Sequence, residues 1–271
     1  MSLPMTSIMK QNKLQNIFLY ILGIVFVGCL IQAAGFLKND RLVFPSLPEI
    51  LRALVRLLLT GQTYRLIGTT LGHMLLTMLV STIAGVSIGL WEGIMPRVHT
   101  FLTPLMVMLR SIPMLILIVI LMVLTKYRYV PLIGSTLILI PLLSEATYEG
   151  CRRIEPELLD VYRLNAPLNG MVLRTVYLPL LAGYLRQAYI NAVGMGIKLV
   201  ISTEYLVQTR NSLGKAIYAS SYFNTYEEIY AYALIMILLV LLVCDLPLAL
   251  FPWLANRRER KSRSSNMPSR D

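Results

Sequence analysis

The chain alternates long uncharged apolar blocks with short stretches that hold most of its Lys, Arg, Asp and Glu. An α-helix needs about 20 apolar residues to cross a hydrocarbon core of about 30 Å. Residues 17–37 form the first such block, behind Lys10 and Lys13. A secretion signal has an apolar core of about 7–15 residues, so this longer block is expected to be a retained membrane helix. Residues 66–91 form the second block, uncharged apart from His73. They carry Gly68, Gly72, Gly85 and Gly89, and small residues spaced by four let membrane helices approach closely. Residues 101–125, with Arg110 and Pro113 inside, form the third block and residues 130–148 the fourth. Residues 176–201 form the fifth, and residues 229–253, which hold Asp245, the sixth. The pattern predicts an all-α, polytopic membrane protein, with about six transmembrane helices in one membrane domain over residues 17–253.

The connections carry their own signals. Phe44-Pro45-Ser46-Leu47-Pro48 disfavours helix just ahead of it and offers Ser46 as a cap for a helix starting near Leu47. Ile50, Leu51, Leu54, Leu57 and Leu58 then recur at helical spacing while Arg52, Arg56 and Arg65 interrupt any spanning run. An amphipathic helix lying on the membrane surface is expected there. Glu92 to His99 reads as a short cytoplasmic turn, and residues 203–228 as a long polar loop. Residues 155–172 turn polar, with Pro156 suited to a first helical turn and Leu158, Leu159, Val161, Tyr162 and Leu164 giving one apolar side. A short cytoplasmic helix is expected.

Six spans put both termini on one side of the membrane. The positive charge of the Arg152 to Arg174 connection and of the tail outweighs that of Lys126, Arg128, Arg210 and Lys215, which favours the cytoplasm. Residues 1–16 are then a cytoplasmic N-terminus, residues 254–271 a basic disordered cytoplasmic tail, and the amphipathic helix external.

Composition supports the membrane reading: only 14% of residues are charged and 56% are hydrophobic, against about 25% charged in soluble domains. The net charge of +11 follows from this topology rather than from nucleic-acid binding. Cys29, Cys151 and Cys244 lack C-x-x-C spacing and define neither a disulfide framework nor a metal site. Met74, Met78, Met106, Met108, Met114 and Met122 are scattered as packing fillers are. Trp91, Trp253, Tyr127 and Tyr129 fall near span ends, as interfacial anchors do. The sequence has no G-x-x-x-x-G-K-[ST] phosphate loop, so ATP energy would have to come from another subunit. With two His and neither H-E-x-x-H nor G-x-S-x-G, an integral-membrane enzyme lacks its chemistry.

Ionisable side chains inside spans are costly and are functional candidates by default. Arg110 can pair with Glu145 or line a path. Lys198 can meet an anionic substrate or pair with Glu204 or Asp245. Arg110, Lys198, Glu204 and Asp245 are therefore the candidates for a translocation path, while His73 reads as a hydrogen-bonded packing residue. In an ion-coupled secondary transporter, Arg110, Glu145, Lys198 and Asp245 would instead form the relay.

One segment carries a family resemblance. Asp160-Val161-Tyr162 is followed by Ala166 and, after nine residues, by Val176-Tyr177-Leu178-Pro179. It resembles the loop of ATP-driven (ABC) importer permeases, Glu-Ala-Ala, three residues, Gly, nine residues, Ile-x-Leu-Pro. The spacing is kept, with Asp for Glu, Val-Tyr for Ala-Ala and Ala for Gly. Other segments resemble nitrate/taurine/sulfonate-type permeases in order: Phe44 to Pro48, Arg110-Ser111-Ile112-Pro113, Pro156-Glu157-Leu158-Leu159, Lys198, Glu204, Ser212-Leu213-Gly214, Ile217-Tyr218 and Phe223-Asn224-Thr225. The resemblance implies a bacterial or archaeal inner-membrane permease for a small anionic or zwitterionic solute, such as a sulfonate, nitrate or vitamin precursor. It implies a homodimer or a pair of related permeases, an extracytoplasmic solute-binding protein, and two cytoplasmic ATPase subunits that use the ATP, with no cofactor in this chain. It also makes residues 155–172 a coupling helix, with Glu157, Leu158, Leu159, Asp160, Tyr162, Arg163, Ala166 and Pro179 at the ATPase contact.

Overall fold

A computed structural model describes residues 22–23, 43–154 and 177–245. Every regular element among them is helical: α1 (Leu47–Leu59), α2 (Gly61–Ile94), α3 (Pro96–Ser111), α4 (Met114–Leu124), α5 (Val130–Arg152), α6 (Leu178–Val207), α7 (Leu213–Tyr222) and α8 (Tyr226–Val240). A 3-10 turn, Tyr127–Tyr129, leads into α5, and a π-helical turn, Leu241–Asp245, continues α8.

Four helices are long and apolar enough to cross a membrane: Gly61–Ile94, Tyr127–Arg152, Leu178–Val207 and Tyr226–Val243. They correspond to the second, fourth, fifth and sixth predicted spans. The protein is an all-α, multi-pass membrane protein. Most of the first predicted span, the N-terminus, the 155–172 helix and the basic tail lie outside the described residues.

The third predicted span is not one straight helix. α3 and α4 pass the same test only together and are bent by 101°. Pro113 causes the break: it has no N–H to donate backwards and forces the residue before it out of helical geometry. Ile112 accordingly has ψ 124° and Pro113 ψ 130°, and the helix restarts at Met114. The expected turn at Glu92 to His99 is also shorter than read, because α2 continues to Ile94 and α3 begins at Pro96. The polar loop at 203–228 holds the end of α6 and all of α7.

α1 forms where the proline-rich segment predicts it. Glu49, in its first turn, accepts the Ser46 N–H at 2.7 Å, which satisfies one donor that helix geometry leaves open. Ile50 and Ala53 are buried, and Leu54, Leu57 and Leu58 pack with Leu66, Leu213, Tyr232 and Ile235. α1 is thus docked on α8 and the start of α2, with Leu47, Leu51, Val55 and Leu59 left exposed on its other side.

The core lies where α2, α5 and α6 meet, with Met74, Met78, Leu139, Leu143, Ala192, Ile197 and Val200 buried together. Glycine spacing sets the closest of these approaches. A Cβ on Gly85 would stand 2.8 Å from Leu143 Cβ, and one on Gly89 2.3 Å from the Ser144 carbonyl oxygen. Gly93 extends the contact, where a Cβ would lie 2.5 Å from Cys151 Cβ. Among the described residues nothing lies within 4 Å of a Cβ on Gly68 or Gly72, so of the two pairs the second makes the contact with α5.

Candidate functional site

Two polar clusters lie on the bundle, one near each end of α2. The first is built around Glu204, in the last turns of α6, which is fully buried. Its Oε1 lies 2.7 Å from His73 Nδ1 of α2. Its Oε2 accepts from Thr70 Oγ1 at 2.8 Å and from the Gly214 N–H at 3.3 Å. Thr70 Oγ1 in turn accepts the Leu213 N–H at 3.0 Å, and Ser212 Oγ accepts that of Lys215 at 3.2 Å.

The first turn of α7 therefore gives its N–H groups to side chains from α2, α6 and its own cap. A helix start carries open donors and a partial positive charge, and a buried carboxylate needs donors to offset its lost hydration. Each answers the other here. The chain reaches α7 through Gln208 and Asn211, both left-handed with φ 55° and 56°. Gly214 is required by space: a Cβ there would lie 2.4 Å from Glu204 Cβ and from the Tyr205 nitrogen.

The second cluster joins the end of α2 to α3 and α5. Glu92, in the last turn of α2, is only 3% exposed. Its Oε2 accepts from Ser144 Oγ at 3.1 Å, while Oε1 has no hydrogen-bond partner among the described residues. His99 stacks on Tyr148 with ring centres 3.9 Å apart and planes 8° apart. Its Nε2 lies 3.5 Å from Thr103 Oγ1, and its buried Nδ1 has no partner among the described residues. The Arg152 guanidinium sits 5.9 Å from the centre of the same Tyr148 ring. Arg110, in the last turn of α3, forms an ion pair with Glu145 of α5, both about half exposed. These residues line a cavity of about 270 Å³. Thr70 and Glu92 are separated by about 33 Å at 1.5 Å per helical residue, close to the thickness of a hydrocarbon core.

The candidate path residues are distributed unevenly over this geometry. Arg110 pairs with Glu145, one of its two expected arrangements. Glu204 is held by His73 rather than by Lys198, so His73 is hydrogen-bonded as read. Lys198 is exposed on α6, with no carboxylate of a described side chain within ion-pair reach. Asp245 ends the π turn, and its side chain lies outside the described residues. Pro179 occupies the first turn of α6. Glu157, Leu158, Leu159, Asp160, Tyr162, Arg163 and Ala166 lie outside the described residues. Among the described residues no three His, Cys, Asp or Glu side chains converge as a metal site requires.

Glu92 and His99 are the functional candidates that the sequence reading missed, having placed both in a polar turn. A signal was present: Glu92 follows Gly85 and Gly89 at i+7 and i+3, on the face that packs against α5.

A second cavity, of about 710 Å³, lies at the opposite end, between α1, the start of α2, α7 and α8, with Arg210, Lys215 and Glu228 in its lining.

Residues 81–260 match the family described as binding-protein-dependent transport system inner membrane component. Among solved structures, the chain is similar to two of the MetNI methionine ABC transporter in inward-facing conformations. One match has 17% identity and a TM-score of 0.59, covering 73% of this chain and 94% of that one. The other has 17% identity and a TM-score of 0.58, covering 68% and 93%. At such identity the likeness speaks for a shared fold. No curated protein matches the chain. The match over residues 81–260 spans most of the helical bundle and both polar clusters except Thr70 and His73, and the chain belongs to the family of inner-membrane components of binding-protein-dependent transport systems.

Proposed function

We propose that the chain is the permease subunit of an ATP-driven importer of the nitrate/taurine/sulfonate type, forming the path for a small zwitterionic or anionic solute. The family match across residues 81–260 carries this reading. Two copies, or a pair of related permeases, enclose the path in a bacterial or archaeal inner membrane, with both termini cytoplasmic. Two ATPase subunits dock on residues 155–172, and a solute-binding protein delivers cargo to the opposite side.

The chain's physics fits this division of labour. It lacks a phosphate loop, so the energy of ATP must enter by contact. The proposed coupling segment joins the end of α5 to the start of α6, and these helices pack on each other and on α2. Displacement of that segment moves a packed unit rather than a loop, which is how rigid-body switching between two access states operates. Arg110 and Lys198, both exposed on the isolated chain, are the path residues that remain open to a solute. Glu204 keeps α7 fixed to α2 and α6, so that a force on α7 from the binding-protein side reaches the spans.

The test is affinity purification of the tagged chain from native membranes in mild detergent, with mass spectrometry and an ATPase assay. A co-purifying ATPase with nucleotide hydrolysis in the complex is expected. A chain that comes down alone, without ATPase activity, overturns the reading and directs attention to ion-coupled transport.

A further inference from the structure

The larger cavity, of about 710 Å³ between α1, the start of α2, α7 and α8, gathers polar groups that the fold does not use. Arg210 and Lys215, its two cations among the described residues, are exposed and form no ion pair with a described side chain. The Gln62 and Asn211 side-chain amides, also in the lining, have no hydrogen-bond partner among the described residues. Glu228 is the one carboxylate that the described residues give the lining, and its Oε2 already accepts from Ser220 Oγ at 3.0 Å and Thr225 Oγ1 at 3.3 Å. The lining thus keeps a net positive charge, and the elements around it add Arg52, Arg56 and Arg65 against Glu49 and Glu227. Two cations and two amides left free in one cavity are the donors that an oxyanion needs.

The surroundings select a lipid as the source of that oxyanion. The lining also holds Leu57, Leu66, Ala219 and Phe223, apolar surface that a free ion leaves bare and the glycerol and first methylenes of a phospholipid cover. Leu66 and Thr63 lie about 6–10 Å beyond Thr70 at 1.5 Å per residue, the depth at which headgroups extend a bilayer from about 30 Å to about 40–45 Å. α1, which supplies Leu57, carries exposed Leu47, Leu51, Val55 and Leu59 at four-residue spacing, so the bilayer reaches the rim of the cavity. Tyr64, Tyr222 and Phe223 are exposed on the same elements, as aromatic residues at headgroup level are. The net positive charge favours an anionic headgroup over one that carries its own ammonium. We infer that this cavity holds the headgroup of an anionic phospholipid, its phosphodiester meeting Arg210 and Lys215 and accepting from Gln62 and Asn211. The bound lipid ties the start of α7 to α1 and α2. This role goes beyond the importer reading and rests on the membrane fold alone.

The experiment titrates lipid into the full chain, purified in mild detergent with the subunits it retains, and reads bound adducts by native mass spectrometry. The probes are dioleoylphosphatidylglycerol, dioleoylphosphatidylcholine and inorganic phosphate. Phosphatidylglycerol is expected to bind tenfold or more tightly than phosphatidylcholine, and millimolar phosphate should not displace it. Arg210→Gln with Lys215→Gln should erase that preference. Lys126→Gln with Arg128→Gln, which removes the same charge from exposed residues outside the cavity, should leave it intact. Ala219→Trp, which fills the cavity from α7, should also erase it and decides the matter if the charge variant does not assemble. Equal binding of the two lipids, a preference that survives either cavity variant, or one that the Lys126 and Arg128 changes erase equally overturns the inference. Displacement by phosphate overturns it too, by making the cavity a soluble-anion site. A charge variant that keeps the lipid preference but loses a solute-binding protein retained by the wild type marks a protein-docking face instead, and likewise overturns it.

Discussion

Glu204 and Gly214 show how one carboxylate and one missing side chain can fix an element. The carboxylate satisfies donors from two other helices, and Gly214 lets α7 approach to where its N–H can reach it. Gly214→Ala forces a Cβ into the Glu204 side chain and the Tyr205 backbone, neither of which is a flexible chain end. Glu204→Ala leaves the Gly214 N–H and the Thr70 hydroxyl without their acceptor, each costing about 1–3 kcal/mol. Both variants are expected to lower the unfolding temperature of the detergent-solubilised protein, followed by Trp fluorescence, and an unchanged temperature for either would contradict the network. The Arg110–Glu145 pair should behave differently because both groups are about half exposed. A double-mutant cycle with Arg110→Gln and Glu145→Gln is expected to give a coupling of about 0–1 kcal/mol in stability, while solute transport changes if Arg110 lines the path.

At the level of elements, the glycines of α2 divide by contact rather than by spacing. Gly68 and Gly72 repeat at four residues just as Gly85 and Gly89 do, yet only the second pair meets α5. Gly89→Ala places a Cβ 2.3 Å from the Ser144 carbonyl oxygen and should destabilise by about 1–3 kcal/mol through overpacking. Gly72→Ala meets nothing within 4 Å among the described residues and should be neutral or stabilise by up to about 1 kcal/mol, since Ala is the better helix former. Thermal unfolding of the two variants side by side checks the contrast. The α3–α4 break belongs to this scale too. Pro113 is visible in the sequence, but a proline in an apolar block permits a gentle kink, a re-entrant turn or a stop. The observed bend of 101° is set by what α3 and α4 pack against, including the Leu117, Ile118, Leu121 and Val130 cluster.

For the whole molecule, the apolar surface that remains exposed, such as Phe101 at 80% and Val123 at 83%, is what a chain solvated by lipid and by further subunits presents. Replacing Leu158 and Leu159 by Asp should uncouple ATP hydrolysis from solute transport in reconstituted vesicles while the protein still inserts and folds. Transport at the wild-type rate would refute the role of residues 155–172.

Hydrophobic block length and the proline-rich start of α1 determined a great deal by themselves: helices rather than strands, a membrane as solvent, and the place of four spans. Each of these follows from local composition, because a bilayer demands an apolar length and every backbone group satisfied within the helix. Tertiary structure decided the rest. It placed Glu204 with His73 and not with Lys198, brought Glu92 out of an expected turn into a cavity with His99 and Arg152, and turned α7 from a polar loop into a capped helix. Those outcomes depend on which faces of α2, α5 and α6 meet. Partner choice among buried charges is fixed by that geometry, since residues 131 positions apart in the chain, His73 and Glu204, become neighbours only once the helices have packed.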